Sequence, residues 1–108
     1  MSHRGTQARE MDAIDRLDRV IHEPGRLKIM THLYIVDSGD FVYLMRTTGL
    51  TRGNLSSHMT KLEEVGYVDV IKEFVNRKPV TMLSLTDKGR NAFLEYRTNI
   101  SLALETSS

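Results

Sequence analysis

The sequence predicts a mainly α domain of the α+β class, with five helices and a single β-hairpin. Three observations carry that expectation. Apolar residues recur at three and four along several separate stretches, the period of a helix with one buried face. The period changes to that of a strand once, after Gly66, and returns to helical at Thr86. The boundaries are punctuated by residues with a mechanical reason to be there, among them Pro24, Gly49 and Gly66. At 108 residues the chain suits one domain, expected to span 8–104 between a disordered N-terminus (1–7) and a frayed tail (105–108).

Composition narrows the function classes. With no cysteine there is no disulfide, thiolate metal site or cysteine nucleophile. No apolar run reaches the length of a membrane span, and the polar N-terminus is unlike a signal peptide, so a cytoplasmic protein without a membrane partner is expected. The net charge of +1 does not by itself argue for nucleic acid. Its distribution does. No Asp or Glu lies between Phe41 and Leu62, where Arg46, Arg52 and Lys61 occur, and none between Phe74 and Thr86, where Arg77 and Lys78 occur. That makes a basic face rather than a basic whole.

Taken in order, residues 8–22 read as a helix with Met11, Ile14, Leu17 and Ile21 on its apolar stripe. Pro24 and Gly25 break it and suit the start of the next helix, 26–36, which is apolar on several sides and therefore expected to be central. Residues 37–40 read as a polar turn, with Asp40 as N-cap of a short helix, 41–48, closed by Gly49. Thr51 caps the next helix, 51–65. Leu50 and Leu55 are spaced as a hydrophobic staple, and Gly66 sits where a left-handed residue ends the helix. Residues 67–75 and 81–85 are rich in Val, Ile, Phe and Leu and read as two strands joined by the basic tip 76–79. Thr86 caps a last helix, on which Gly89, Phe93, Tyr96, Ile100 and Ala103 recur at coiled-coil-like spacing. A short helix, a glycine-bearing turn and a capped helix, followed by a two-stranded β-wing and flanked by terminal helices, make a winged helix-turn-helix.

Three segments also resemble a known group. Residues 50–68 (LTRGNLSSHMTKLEEVGYV), 23–30 (EPGRLKIM) and 83–90 (LSLTDKGR) are similar to the recognition region, second-helix opening and strand-to-last-helix junction of small stand-alone winged-helix transcriptional regulators of the MarR and ArsR groups. The resemblance covers roughly 17–93. It implies a DNA-binding transcriptional regulator, and names neither target gene nor effector.

The helix 51–65 is the expected reader of the major groove. Away from its apolar stripe of Leu55, Met59, Leu62 and Val65 it carries Arg52, Asn54, Ser56, Ser57, His58, Thr60 and Lys61. Arg suits guanine or a phosphate, Asn suits adenine, and Ser, Thr and Lys suit phosphates and water-mediated contacts. Gly53 in the first turn would let a phosphate approach the backbone. Arg77 and Lys78 at the wing tip are expected on the DNA backbone or in the minor groove. Arg46, Thr47 and Thr48, ending the preceding helix, are further phosphate candidates, although ordinary polar helix-end residues would look the same.

Of His3, His22, His32 and His58, no pair has the i, i+4 spacing of a helical metal site. Structural roles are expected, with no metal and no cofactor. No nucleophile elbow or phosphate-cradling glycine loop is present, so an enzyme is not expected. The terminal stripes, Ile14, Leu17 and Ile21 with Phe93, Tyr96 and Ile100, read either as cover for the core or as a two-fold dimer interface, and the dimer is favoured because it doubles the base contacts. Nothing points to a small-molecule effector, which would have to bind at that interface or near the flanking helices. The rival function is a winged helix that binds a partner protein without specific DNA binding; the acid-free basic face favours DNA.

Overall fold

The computed structural model describes residues 2–105. The elements are α1 (Ser2–Asp15), α2 (Pro24–Val36), β1 (Ser38–Asp40), α3 (Phe41–Thr48), α4 (Arg52–Glu64), β2 (Val68–Val75), β3 (Lys78–Leu85) and α5 (Asp87–Ala103). The fold is a winged helix, mainly α with a β-wing, as the periodicity predicts.

Every cap in the helix-turn-helix is made by the residue expected to make it. The Asp40 side chain accepts from the Tyr43 amide at 2.8 Å, and Gly49 ends α3 in the left-handed region at φ 73°. The Thr51 hydroxyl accepts from the Asn54 amide at 3.2 Å, and Gly66 takes a φ of 83°. The Thr86 hydroxyl accepts from the Gly89 amide at 2.9 Å and donates to the Gly66 carbonyl at 2.7 Å, which ties the start of α5 to the end of α4. Each such cap contributes about 1 kcal/mol. The core lies where α2, α4 and the sheet meet. Ile21, Ile29, Met30, Leu33, Leu44, Leu55, Leu62 and Leu83 are fully buried there, with Phe93 and Tyr96 of α5 laid over them.

Four boundaries differ from those the sequence predicts. The first helix begins at Ser2, so residues 2–7, expected to be disordered, are helical in backbone; Met1 and residues 106–108 of the expected frayed tail lie outside the described residues. That helix ends at Asp15, short of His22, because the Asp18 carboxylate accepts from the amides of Val20 at 2.9 Å and Ile21 at 3.1 Å and holds the chain in a turn. The polar turn after α2 contains a third strand: β1 pairs antiparallel with β3, Gly39 opposite Leu83, giving a sheet of order β1-β3-β2. The hairpin turn is only Asn76 and Arg77, both in the left-handed region at φ 53° and 66°, so Lys78 and Pro79 already belong to β3. Two consecutive residues at positive φ are the signature of a type I′ turn, whose twist matches that of the strands.

Burial also revises α2 and the terminal stripes. Ile29, Met30 and Leu33 are fully buried, but Ile35 is 71 % exposed. Leu17, Ile21, Phe93 and Tyr96, read as dimer contacts, are buried within one chain and belong to its core; Ile100 is half-buried, and only Ile14 of that set stands exposed.

Candidate nucleic-acid interface

The buried positions of α4 are set by its sequence. Leu55 and Leu62 are fully buried and Met59 and Val65 partly so, which turns Arg52, Gly53, Asn54, Ser56, Ser57, Thr60 and Lys61 outward. The exposed surface through the first three turns therefore holds hydrogen-bonding groups and two cations, and no carboxylate before Glu63. Arg52 is held over the Phe41 ring at 5.5 Å from its centroid. Such a cation–π contact at an exposed site is worth about 0.5–1 kcal/mol, enough to favour one placement of the guanidinium at the leading end of the helix.

His58 is the exception among the α4 candidates. Its ring points inward to the start of α2, with Nε2 3.6 Å from Glu23 Oε1 and Nδ1 3.3 Å from Arg26 Nη1. It lies so close over Gly25 that a Cβ there would come within 2.5 Å of the imidazole. Glu23 in turn caps α2 by accepting from the Arg26 amide at 2.8 Å. Burial acts to raise the Glu23 pKa, but the Arg26 amide and the neighbouring His58 and Arg26 side chains outweigh it and hold the carboxyl below its ordinary value. The cluster fixes α4 against α2, and the expectation that His58 faces DNA is corrected to that structural role. A helical wheel places His58 between Leu62 and Val65, on the apolar side of α4, so its spacing from Leu55 and Leu62 already carried this signal.

Of the helix-end candidates, Arg46 and Thr47 are exposed, and Thr47 donates back to the Tyr43 carbonyl at 3.0 Å. Thr48 is buried and donates to the Leu44 carbonyl at 2.6 Å, which takes it out of reach of a phosphate. Arg77 and Lys78 are exposed at the end of the hairpin, every residue of which from Ile71 to Pro79 is exposed. Two further cations, outside the residues predicted from sequence, join this surface. Lys72 lines a groove of about 490 Å³ between α4 and the wing, together with Phe41, Arg52, Ser56, Met59, Pro79 and Thr81. Lys28 of α2 donates to the Thr48 carbonyl at 3.3 Å beside Thr47. Alternation along β2 could have found Lys72, two residues beyond the inward-facing Val70; nothing in the sequence marks Lys28.

His22 and His32 pack against neighbouring rings, and the side chain of His3 lies outside the described residues. His22 Nδ1 lies 2.7 Å from the Tyr96 hydroxyl, and the His32 ring leans on Tyr43. Among the described residues no group of three or more His, Cys, Asp or Glu is placed to hold a metal, and no helix is long and apolar enough to cross a membrane.

A helix-turn-helix whose second helix exposes no carboxylate before Glu63, followed by a wing with a basic tip, defines a class of DNA-binding domain. Residues 26–103 match the family described as winged helix DNA-binding domain, and the chain belongs to that family. An uncharacterized protein of Methanocaldococcus jannaschii is 37 % identical over 78 residues, covering 72 % of this chain and 85 % of its own. The solved structure of a transcriptional regulator homologue from Pyrococcus horikoshii superposes with a TM-score of 0.77 at 29 % identity, over 85 % of this chain and 90 % of that one. NadR, solved with 4-hydroxyphenylacetate, shares the fold at a TM-score of 0.67 and 19 % identity, over 93 % of this chain and 68 % of its own. The chain is thus a winged helix DNA-binding domain, and it shares its fold with the solved transcriptional regulator homologue and with NadR.

Proposed function

We propose that this protein is a homodimeric, sequence-specific transcriptional regulator that places α4 in the major groove of duplex DNA and the wing tip on the backbone or in the minor groove. The observation that carries the reading is the outward face of α4: Arg52, Asn54, Ser56, Ser57, Thr60 and Lys61 exposed together with no carboxylate among them. Asn54 is suited to read a base, and Arg52 a guanine or a phosphate. Ser56, Ser57, Lys61, Arg46 and Thr47 are suited to the backbone.

Shape supports the dimer. The radius of gyration is 16.7 Å, against about 13 Å for a compact chain of this length. The long dimension of 66 Å greatly exceeds the other two, 25 and 21 Å. Helices α1 and α5 pack along each other and leave Met11, Ile14, Leu94 and Leu104 exposed. A second copy covering those residues would present two reading helices to two half-sites.

Binding-site selection from a random duplex pool tests the reading, since half-site spacing reports dimer geometry as well as sequence. A palindromic site is expected, with affinity that falls steeply as salt is added. Absence of any duplex binding at micromolar protein and low salt would move the assignment to a protein-interaction module.

A further inference from the structure

The wing carries an aromatic side chain for which the fold itself has no use. Phe74 is 77 % exposed, the most exposed large apolar residue among those described. Strand register fixes the side it occupies. In antiparallel strands, paired residues share a face and alternate along each strand. Leu83 is fully buried and pairs with Val70; on that same face follow Lys72 opposite Thr81, and Phe74 opposite Pro79. Phe74 and Pro79 therefore stand together on the face that looks toward α4, one register step inside the Arg77 turn. Four residues of strand carry Phe74 about 13 Å beyond the buried Val70–Leu83 pair. Glu73, the nearest acid, points to the opposite face.

We propose that Phe74 and Pro79 form an apolar wedge that enters the minor groove of the duplex, between phosphates held by Arg77, Lys78 and Lys72. The inference rests on the duplex-DNA reading above. Charge selects the occupant: an apolar pair bordered on its own face and at its tip by cations, with the carboxylate turned away, is matched to a polyanion with apolar sugar and base surfaces inside its groove. An apolar wedge at a base step partly unstacks it, and flexible pyrimidine–purine steps yield most easily. The wedge thereby adds sequence preference at a position the reading helix does not touch.

The chain has no tryptophan, so Phe74→Trp supplies a single reporter at an exposed site where the fold is not at risk. Emission of that variant is followed while a fluorescein-labelled random-sequence duplex is added at low salt, with duplex anisotropy reporting binding in the same sample. Strong quenching that saturates together with the anisotropy is expected. Phe74→Ala should bind roughly tenfold to a hundredfold more weakly, with an unchanged slope of log affinity on log salt because no charge is lost. Lys72→Ala should lower that slope by about one for each copy bound. Bound duplex with unchanged indole emission, and Phe74→Ala binding as well as the parent, would overturn the wedge while leaving DNA binding intact. No anisotropy change for the unmodified protein would overturn both. Emission that shifts with protein concentration alone would assign Phe74 to a contact between copies of this chain instead.

Discussion

Helix α4 and the terminal segments carry apolar residues at the same helical spacing, yet the sequence alone predicts different partners for the two. In α4 the stripe of Leu55, Met59, Leu62 and Val65 was assigned to the core, and it is there. In the terminal segments the spacing of Leu17, Ile21, Phe93 and Tyr96 fits either a core cover or the favoured partner copy, and the chain itself covers them. Spacing reports that a face is covered; it is silent on what covers it. The apolar residues that do stand exposed in the pair are Met11 and Ile14, the first half of the N-terminal stripe, and Leu94 and Leu104, which lie off the α5 stripe.

The largest effect expected from this contrast is on stability. Phe93→Ala should cost about 3–5 kcal/mol, because it opens a cavity in the core, and the loss of Tm should not depend on protein concentration. If Phe93 instead served a dimer interface, dilution of the parent protein would mimic the substitution. Ile14→Asp combined with Leu104→Asp changes exposed positions only. Its expected outcome is a protein folded by circular dichroism whose molar mass by light scattering falls to that of one chain.

At the end proposed to meet DNA, Arg77→Ala with Lys78→Ala should weaken binding to all sequences alike and reduce the salt slope by about two for each wing engaged. Asn54→Ala should in addition relax preference at one position of the site. Insensitivity to all three substitutions would mean that a different surface docks.

Alkaline titration probes how the pair is joined to the core. The Tyr67 hydroxyl donates to the Asp18 carboxylate in the turn that ends α1. Burial first, then that hydrogen bond and the charges of Asp18 and Glu95, push its pKa up to about 12. The folded state thus favours the neutral phenol. Its contribution is complete below the unfolded value of about 10 and is lost as pH rises through about 12. Tyr67→Phe should remove this sensitivity from the pH dependence of Tm between those limits.

The smallest expected effect is also the most diagnostic of α4. A Cβ at Gly53 would meet nothing within 4 Å, so neither packing nor φ demands glycine in this first turn. Gly53→Ala should stabilise the protein by about 0.4–1 kcal/mol. If DNA backbone approaches this turn, the same variant should bind more weakly; equal or tighter binding would remove Gly53 from the interface.

What the amino-acid sequence determined by itself is local. Asp40, Thr51 and Thr86 cap their helices, Gly49 and Gly66 end theirs, and Leu55 and Leu62 orient α4, because each acts on neighbours within one or two turns. The same locality made the reading face legible, since burying one stripe of a helix exposes the other. Tertiary structure decided whatever depends on partners distant in sequence. Strand β1 exists because residues 38–40 meet residues 82–84, and no propensity in Ser-Gly-Asp announces it. His58 turns inward because Glu23, Gly25 and Arg26 are waiting there. Phe93 and Tyr96 are core because α5 folds back over α2, and Phe74 is exposed because the wing extends past every element that could cover it.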